Sequence, residues 1–134
     1  MANNQRHALE PLNGAEVEQA VQILKAGGKV TATTRFVSVS LKEPPKDAVH
    51  RFNGDAAPAR EAFVVLFDNG TNTAHEATLS LTNRQLLSFQ SHTGVQPSMT
   101  IDEQVECEQA VLSSPEFKAA LKKQYGLDDI RLIM

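Results

Sequence analysis

Residues 94–129, GVQPSMTIDEQVECEQAVLSSPEFKAALKKQYGLDD, carry two complete sets of helix punctuation and little strand signal. Thr100 is an N-cap residue, and Glu103 three positions later can reach back to its amide, which makes a capping box. Ser114 precedes Pro115, and proline at a first helical position loses nothing because that N–H has no intrahelical partner. Gly126 supplies a stop, since glycine enters the left-handed region at no steric cost. The spacing predicts helices over 101–112 and 115–125. Ile101, Val105, Val111 and Leu112 give the first an apolar stripe, and Phe117, Ala120, Leu121 and Tyr125 give one to the second. The closing IRLIM, 130–134, reads as one short strand. Two helices and a single strand have no second layer to bury those stripes against. This stretch is therefore expected to be the start of a second unit, cut before its sheet. It is also expected to drive oligomerisation, through its apolar stripes and the unpaired edges of its strand.

The preceding residues read quite differently. Residues 1–8 are polar and expected to be disordered. Asn13 and Glu16 form another capping box. Val17, Ala20, Val21 and Leu24 recur at helical spacing, and Gly27-Gly28 ends a helix predicted over 14–26. In RFVSVSLK, Val37, Val39 and Leu41 alternate with Ser38 and Ser40, the period of a half-buried strand, with Phe36 on the other face. Pro44-Pro45 stops it, because proline cannot donate to a ladder. One helical turn over 45–52 and a loop around Asn53-Gly54 and Pro58 follow. REAFVVLFD, 60–68, is the strongest strand. Asp68-Asn69-Gly70 turns it into a partner over 73–81, and Thr82-Asn83-Arg84 leads to a fourth strand over 85–92.

Short connections favour antiparallel neighbours. The expected fold is therefore α+β: one long helix on a curved four-stranded antiparallel sheet, the plan of a cystatin-like roll, followed by two helices and a short terminal strand. The domains expected are a tail (1–8), the roll (9–96) and the start of a second such unit (97–134). The expected core is Val17, Val21 and Leu24 on the helix, with Val37, Val39, Phe63, Val65, Phe67, Leu79 and Leu87 on the sheet. A one-residue slip in any strand would invert its set.

Chemistry is harder to find. The net charge of −3 over 134 residues, with no dense Lys/Arg patch, argues against nucleic acid as a partner. The start MANNQRHALEPL lacks the apolar core of a signal peptide, and no apolar run is long enough to span a membrane. A cytoplasmic protein is expected. Cys107 is the one cysteine, so it has no intramolecular disulfide partner. It sits in a helical pattern with no histidine nearby to activate it. His7, His50, His75 and His92 show no HxH, HxxxH or HExxH spacing that would place two imidazoles on one metal. Only His75 and His92, on neighbouring strands, leave a two-histidine site conceivable. Asp102, Glu103, Glu106 and Glu108 read as helix-dipole partners and a solvated face. Gly27-Gly28-Lys29 echoes a phosphate loop but follows a helix instead of opening one. No catalytic, cofactor-binding or metal residue is expected.

Three strings carry a resemblance: RFVSVSLKEPPKDAV, REAFVVLFD and GVQPSMTIDEQVECEQAVLSSPEFKAALKKQYGLDD. With the opening ALEPLNGAEVEQAVQIL, they are similar to the N-terminal region of copper-containing primary amine oxidases, over about residues 7–133. In that family two small cystatin-like domains precede a large catalytic β-sandwich. The resemblance implies a parent that oxidises primary amines to aldehydes with release of ammonia and hydrogen peroxide, using copper held by three histidines and a topaquinone made from a tyrosine in Asn-Tyr-Asp/Glu. Here the single tyrosine, Tyr125, stands between Gln124 and Gly126, and the HxH copper pair is missing, so none of those roles transfers to a residue of this chain. The role implied is that of a non-catalytic, truncated N-terminal piece that packs against the missing catalytic domain or a second copy. The alternative is a free-standing cystatin-like binding or dimerisation module.

Overall fold

The structure, a computed structural model, describes residues 7–52, 58–129 and 131. They form two compact units, divided between Ser98 and Met99.

The first unit contains α1 (Gly14–Ala26), β1 (Thr34–Lys42), α2 (Lys46–Arg51), β2 (Glu61–Asp68), β3 (Thr73–Ser80) and β4 (Gln85–Thr93). The strands form one antiparallel sheet in the order β1-β2-β3-β4. The capping box at α1 is present: Glu16 N–H donates to Asn13 Oδ1 at 2.8 Å and Asn13 N–H to Glu16 Oε2 at 3.0 Å. Gly28, at φ 65°, carries the chain out of the helix in the left-handed region. The α+β roll expected from the sequence is the observed fold.

The core lies between α1 and one sheet face. It comprises Ala20 and Leu24 from the helix, Ala62, Val64 and Leu66 from β2, Ala77 and Leu79 from β3, and Leu81, with Leu12, Ile23, Phe36, Val39, Leu86 and Phe89 packed around it. This corrects the expected core at several positions. On β2 the inward set is Ala62, Val64 and Leu66, while Phe63 and Val65 are half-buried outside the core cluster. Phe67 is buried, but it too is outside that cluster. The run FVVLF is apolar at every position, so no alternation marks its inner face. On β1 the ladder shifts between Phe36 and Ser38. Val37 is the extra residue of a bulge, and the bulge puts Phe36 on the same face as Val39. A second shift between Leu86 and Ser88 leaves Leu87 47 % exposed and turns Leu86 and Phe89 inward. On α1, Val17 and Val21 are only half-buried, and Ala20 joins Leu24 at the centre.

The first six residues of the expected tail lie outside the described residues. His7 and Ala8 belong to the fold: Ala8 is buried, and the His7 ring meets Phe52 edge-on at 5.5 Å.

The second unit contains α3 (Ile101–Ser113) and α4 (Pro115–Tyr125). Thr100 and Glu103 form the capping box, Ser114 Oγ accepts from Phe117 N–H at 3.2 Å, and Gly126 closes α4 at φ 67°. Leu121 is the one buried hydrophobic residue among the described residues of this unit. Of the strand expected over 130–134, Ile130 and residues 132–134 lie outside the described residues. Arg131 folds back on Asp129 instead, donating from N–H and Nε to Oδ1 at 3.1 and 2.9 Å.

Candidate functional site

Three polar arrangements and one groove are the candidates. The first is a clasp built on Arg60, immediately ahead of β2. Its Nε donates to Glu16 Oε1 at 2.8 Å and its Nη2 to Glu16 Oε2 at 3.1 Å, a two-pronged ion pair at the N-terminus of α1. Nη1 and Nη2 also donate to the carbonyls of Glu10 and Pro11, at 2.9 and 3.3 Å. The planar guanidinium fork suits this set, and its burial removes competing water. Close by, Gln19 Nε2 donates to Leu81 O at 2.6 Å, so α1 is pinned to both ends of the β2–β3 hairpin's open side.

The second arrangement sits at the β2–β3 turn. Asp68 Oδ1 accepts from Thr33 Oγ at 2.6 Å and from Gly70 N–H at 2.8 Å. The Thr33 hydroxyl first, and the Gly70 amide second, hold the Asp68 carboxyl below its ordinary value. A Cβ at Gly70 would lie 2.8 Å from Thr33 Oγ, so a larger residue there would have to displace the hydroxyl that bonds Asp68.

The third is the pair of strand histidines. His75 lies opposite Ser91, bonded Nδ1 to Oγ at 2.9 Å, and stacks on Phe89 at 5.0 Å. Lys29 Nζ lies 4.9 Å from the centre of the same Phe89 ring. His92 is aligned with Ala74, one residue before His75 on β3, so the two imidazoles are on opposite sheet faces. His92 Nε2 faces Glu76 Oε2 at 3.4 Å instead. The conceivable two-histidine site is thereby removed by strand parity.

The groove lies between α1 and the start of β4. It has a volume of about 1100 Å³ and is walled by residues such as Val21, Ile23, Ala26 and Leu86, with Glu18 and Arg84 on its rim.

In the second unit Cys107 is an exposed, unpaired thiol, and Asp102, Glu103, Glu106 and Glu108 lie on α3 with it. Lys122 pairs with Asp128 at 2.8 Å, which raises the lysine above its ordinary value. Arg131 lowers Asp129 in the same way. Among the described residues no group of three or more His, Cys, Asp or Glu could hold a metal ion, and no helix is long and apolar enough to cross a membrane. Sequence reading missed Arg60, Thr33 and Asp68, because an arginine before a strand and an aspartate in a turn look like ordinary solvated residues. Only the fold brings their partners from 35 to 50 positions away.

The first unit is thus a helix laid over a four-stranded antiparallel meander and fastened by polar clasps. Residues 14–89 match the family of the AGAO-like N2 domain, and the chain belongs to that family, the N-terminal region of the copper amine oxidases. It is 38 % identical over 128 residues to a primary amine oxidase of Arthrobacter sp. (strain P1), covering 95 % of this chain and 19 % of that protein. It is 35 % identical over 126 residues to a primary amine oxidase of Klebsiella aerogenes, covering 92 % of this chain and 16 % of that one. The chain thus spans about a fifth of the length of the curated relatives it matches. The crystal structure of a copper-containing benzylamine oxidase from Hansenula polymorpha superposes with a TM-score of 0.75 over 88 % of this chain and 20 % of that one, at 21 % identity, which is a likeness of fold. Among the described residues no three-histidine set for copper is brought together. The two strand histidines face apart, and Tyr125 is an exposed residue at the end of α4, bordered by Gln124 and Gly126.

Proposed function

We propose that the chain acts as a non-catalytic N-terminal unit of a copper amine oxidase, with a packing role and no copper or quinone of its own. The observation that carries this reading is the lopsided match: 95 % of this chain aligns with only 19 % of the Arthrobacter primary amine oxidase. The residue chemistry agrees with it. Arg60 with Glu16 and Asp68 with Thr33 are spent on bonds that hold the fold. The partner in this reading is the catalytic part of such an oxidase, and a cytoplasmic setting belongs to the same proposal.

The test is elemental analysis of the purified chain for copper together with a redox-cycling stain for quinone. The expected result is no bound copper and no stain. Stoichiometric copper with a positive stain would overturn the proposal. The packing role is tested by adding the chain to the Arthrobacter enzyme lacking its matching segment. Recovery of a defined complex is expected, and two species that stay separate would count against it.

A second reading, a free-standing binding module, draws support from the groove between α1 and β4. A stoichiometric small-molecule complex of the isolated chain, with protection from hydrogen exchange confined to Val21, Ile23 and Leu86, would favour it.

A further inference from the structure

Asparagine is followed by glycine three times in this chain, at Asn13-Gly14, Asn53-Gly54 and Asn69-Gly70. The pair is chemically weak, because glycine has no side chain to shield its amide nitrogen. Once that nitrogen loses its proton to solvent, it can attack Cγ of the asparagine before it. The new N–C bond closes a five-membered succinimide, the Cγ–Nδ2 bond breaks, and ammonia leaves with a proton taken back from solvent. Water then opens the ring at either carbonyl, which leaves aspartate or isoaspartate. At the β2–β3 turn the attacking nitrogen is tied down. Gly70 N–H donates to Asp68 Oδ1 at 2.8 Å, so the proton that must leave lies between the nitrogen and an anionic oxygen. Removing it would set a negative nitrogen beside a carboxylate, and like charges at that distance repel strongly. Asp68 Oδ1 also accepts from Thr33 Oγ at 2.6 Å, which fixes the carboxylate in place and keeps it ionised. Asn69 N–H donates to Thr33 O at 3.1 Å, so the backbone on both sides of Asn69 is held.

We infer that Asn69 is a guarded deamidation site, at which the Asp68 carboxylate withholds the Gly70 nitrogen until the turn opens. The guard is built from two places in the sequence. Thr33 stands ahead of β1, and Asp68 ends β2, so the bond between them exists only while those strands are paired. Local opening of the hairpin end frees the carboxylate, the Gly70 nitrogen and the Asn69 side chain together. The ladder of β2 and β3 closes at Asp68 opposite Thr73. Isoaspartate at position 69 would route the backbone through the former side chain and add a carbon inside that turn. It would also set a second carboxylate next to Asp68. This inference concerns the first unit alone and does not rest on the packing role.

The test is to incubate the full chain at mildly alkaline pH and follow each Asn-Gly peptide by mass spectrometry, with an isoaspartate-specific digest. In native buffer Asn69 should convert about tenfold more slowly than in urea, or slower still, the factor that one bond to a charged group supplies. Asp68→Ala should speed conversion at Asn69 by about tenfold in native buffer. The rates at Asn13 and at Asn53, which lies outside the described residues, should stay as they were. Thr33→Val keeps the carboxylate but removes its hydroxyl partner, and it should speed Asn69 by a smaller factor. Hydrogen exchange at the Gly70 amide should rise in the same order. Should Asp68→Ala fold poorly, Thr33→Val and the wild-type comparison in urea carry the test. Equal rates at Asn69 with and without urea would overturn the inference. So would an Asn69 rate that neither variant changes. Faster conversion in native buffer than in urea would overturn it too, since Asp68 would then be acting as a base and not as a guard.

Discussion

The two units of this chain are built from the same quality of local signal and end with very different interiors. α1 and α3 are both 13 residues long, and each opens on a full capping box. Yet α1 buries Ala20 and Leu24 completely, whereas α3 buries no residue, and Ile101 in its first turn is 78 % exposed. Capping chemistry is local and decides where a helix starts. Burial needs a second layer, and the first unit has one because β1 to β4 return to α1 from across the sequence. The lesson is that helix punctuation says nothing about whether a stripe will find a partner.

The sharpest way to break this contrast is to remove the shared layer. Leu24→Ala should cost the first unit about 2 to 5 kcal/mol, because a fully buried leucine leaves a cavity as well as lost contacts. Calorimetry should show the loss in the transition of the first unit, and an unchanged transition would mean α1 is not held by the core described. Arg60→Ala should cost about 1 to 2 kcal/mol, since it removes a two-pronged ion pair to the half-buried Glu16 carboxylate and two bonds to the carbonyls of Glu10 and Pro11. Fast hydrogen exchange should then spread through residues 9–17. If exchange there stays slow, the clasp is not what holds the segment.

Thr100→Ala is the counterpart in the second unit. It should cost α3 about 1 kcal/mol of local stability. The effect should appear as lower helicity by circular dichroism, with the first unit's melting unmoved. A fall in that melting would show that the units are coupled.

The smallest effect expected is one of pH. Thr33 and Gly70 lower the Asp68 pKa in the folded state. The ionised form is thus favoured by folding. Its contribution is complete above the ordinary carboxylate value of 3.8 and is lost as pH falls through the lower folded value. Asp68→Asn should flatten the acid limb of the stability curve of the first unit. An unchanged acid limb would assign that limb to other carboxylates.

Much of the fold was legible in local chemistry. Asn13 with Glu16, Thr100 with Glu103, and Ser114-Pro115 fixed the helix starts, and all three caps are formed. Pro44-Pro45 and the two turns bounded the strands to within a few residues. The facing of the strands was less legible. FVVLF has no polar residue to mark the solvent side, and the bulges at Val37 and Leu87 reverse the alternation partway along β1 and β4. A bulge depends on its partner strand, so its own residues do not announce it. The candidate sites were legible only as absences. The clasp of Arg60 joins residues 44 to 50 positions apart, and the separation of His75 from His92 depends on strand parity.

The sequence by itself determined the element order, the helix caps and the family, because each is written in neighbouring residues or in strings of them. The tertiary structure alone decided which strand face is inward and where Arg60 and Asp68 find their partners. Those depend on long-range pairing, where one skipped residue inverts a face and a partner lies tens of positions away.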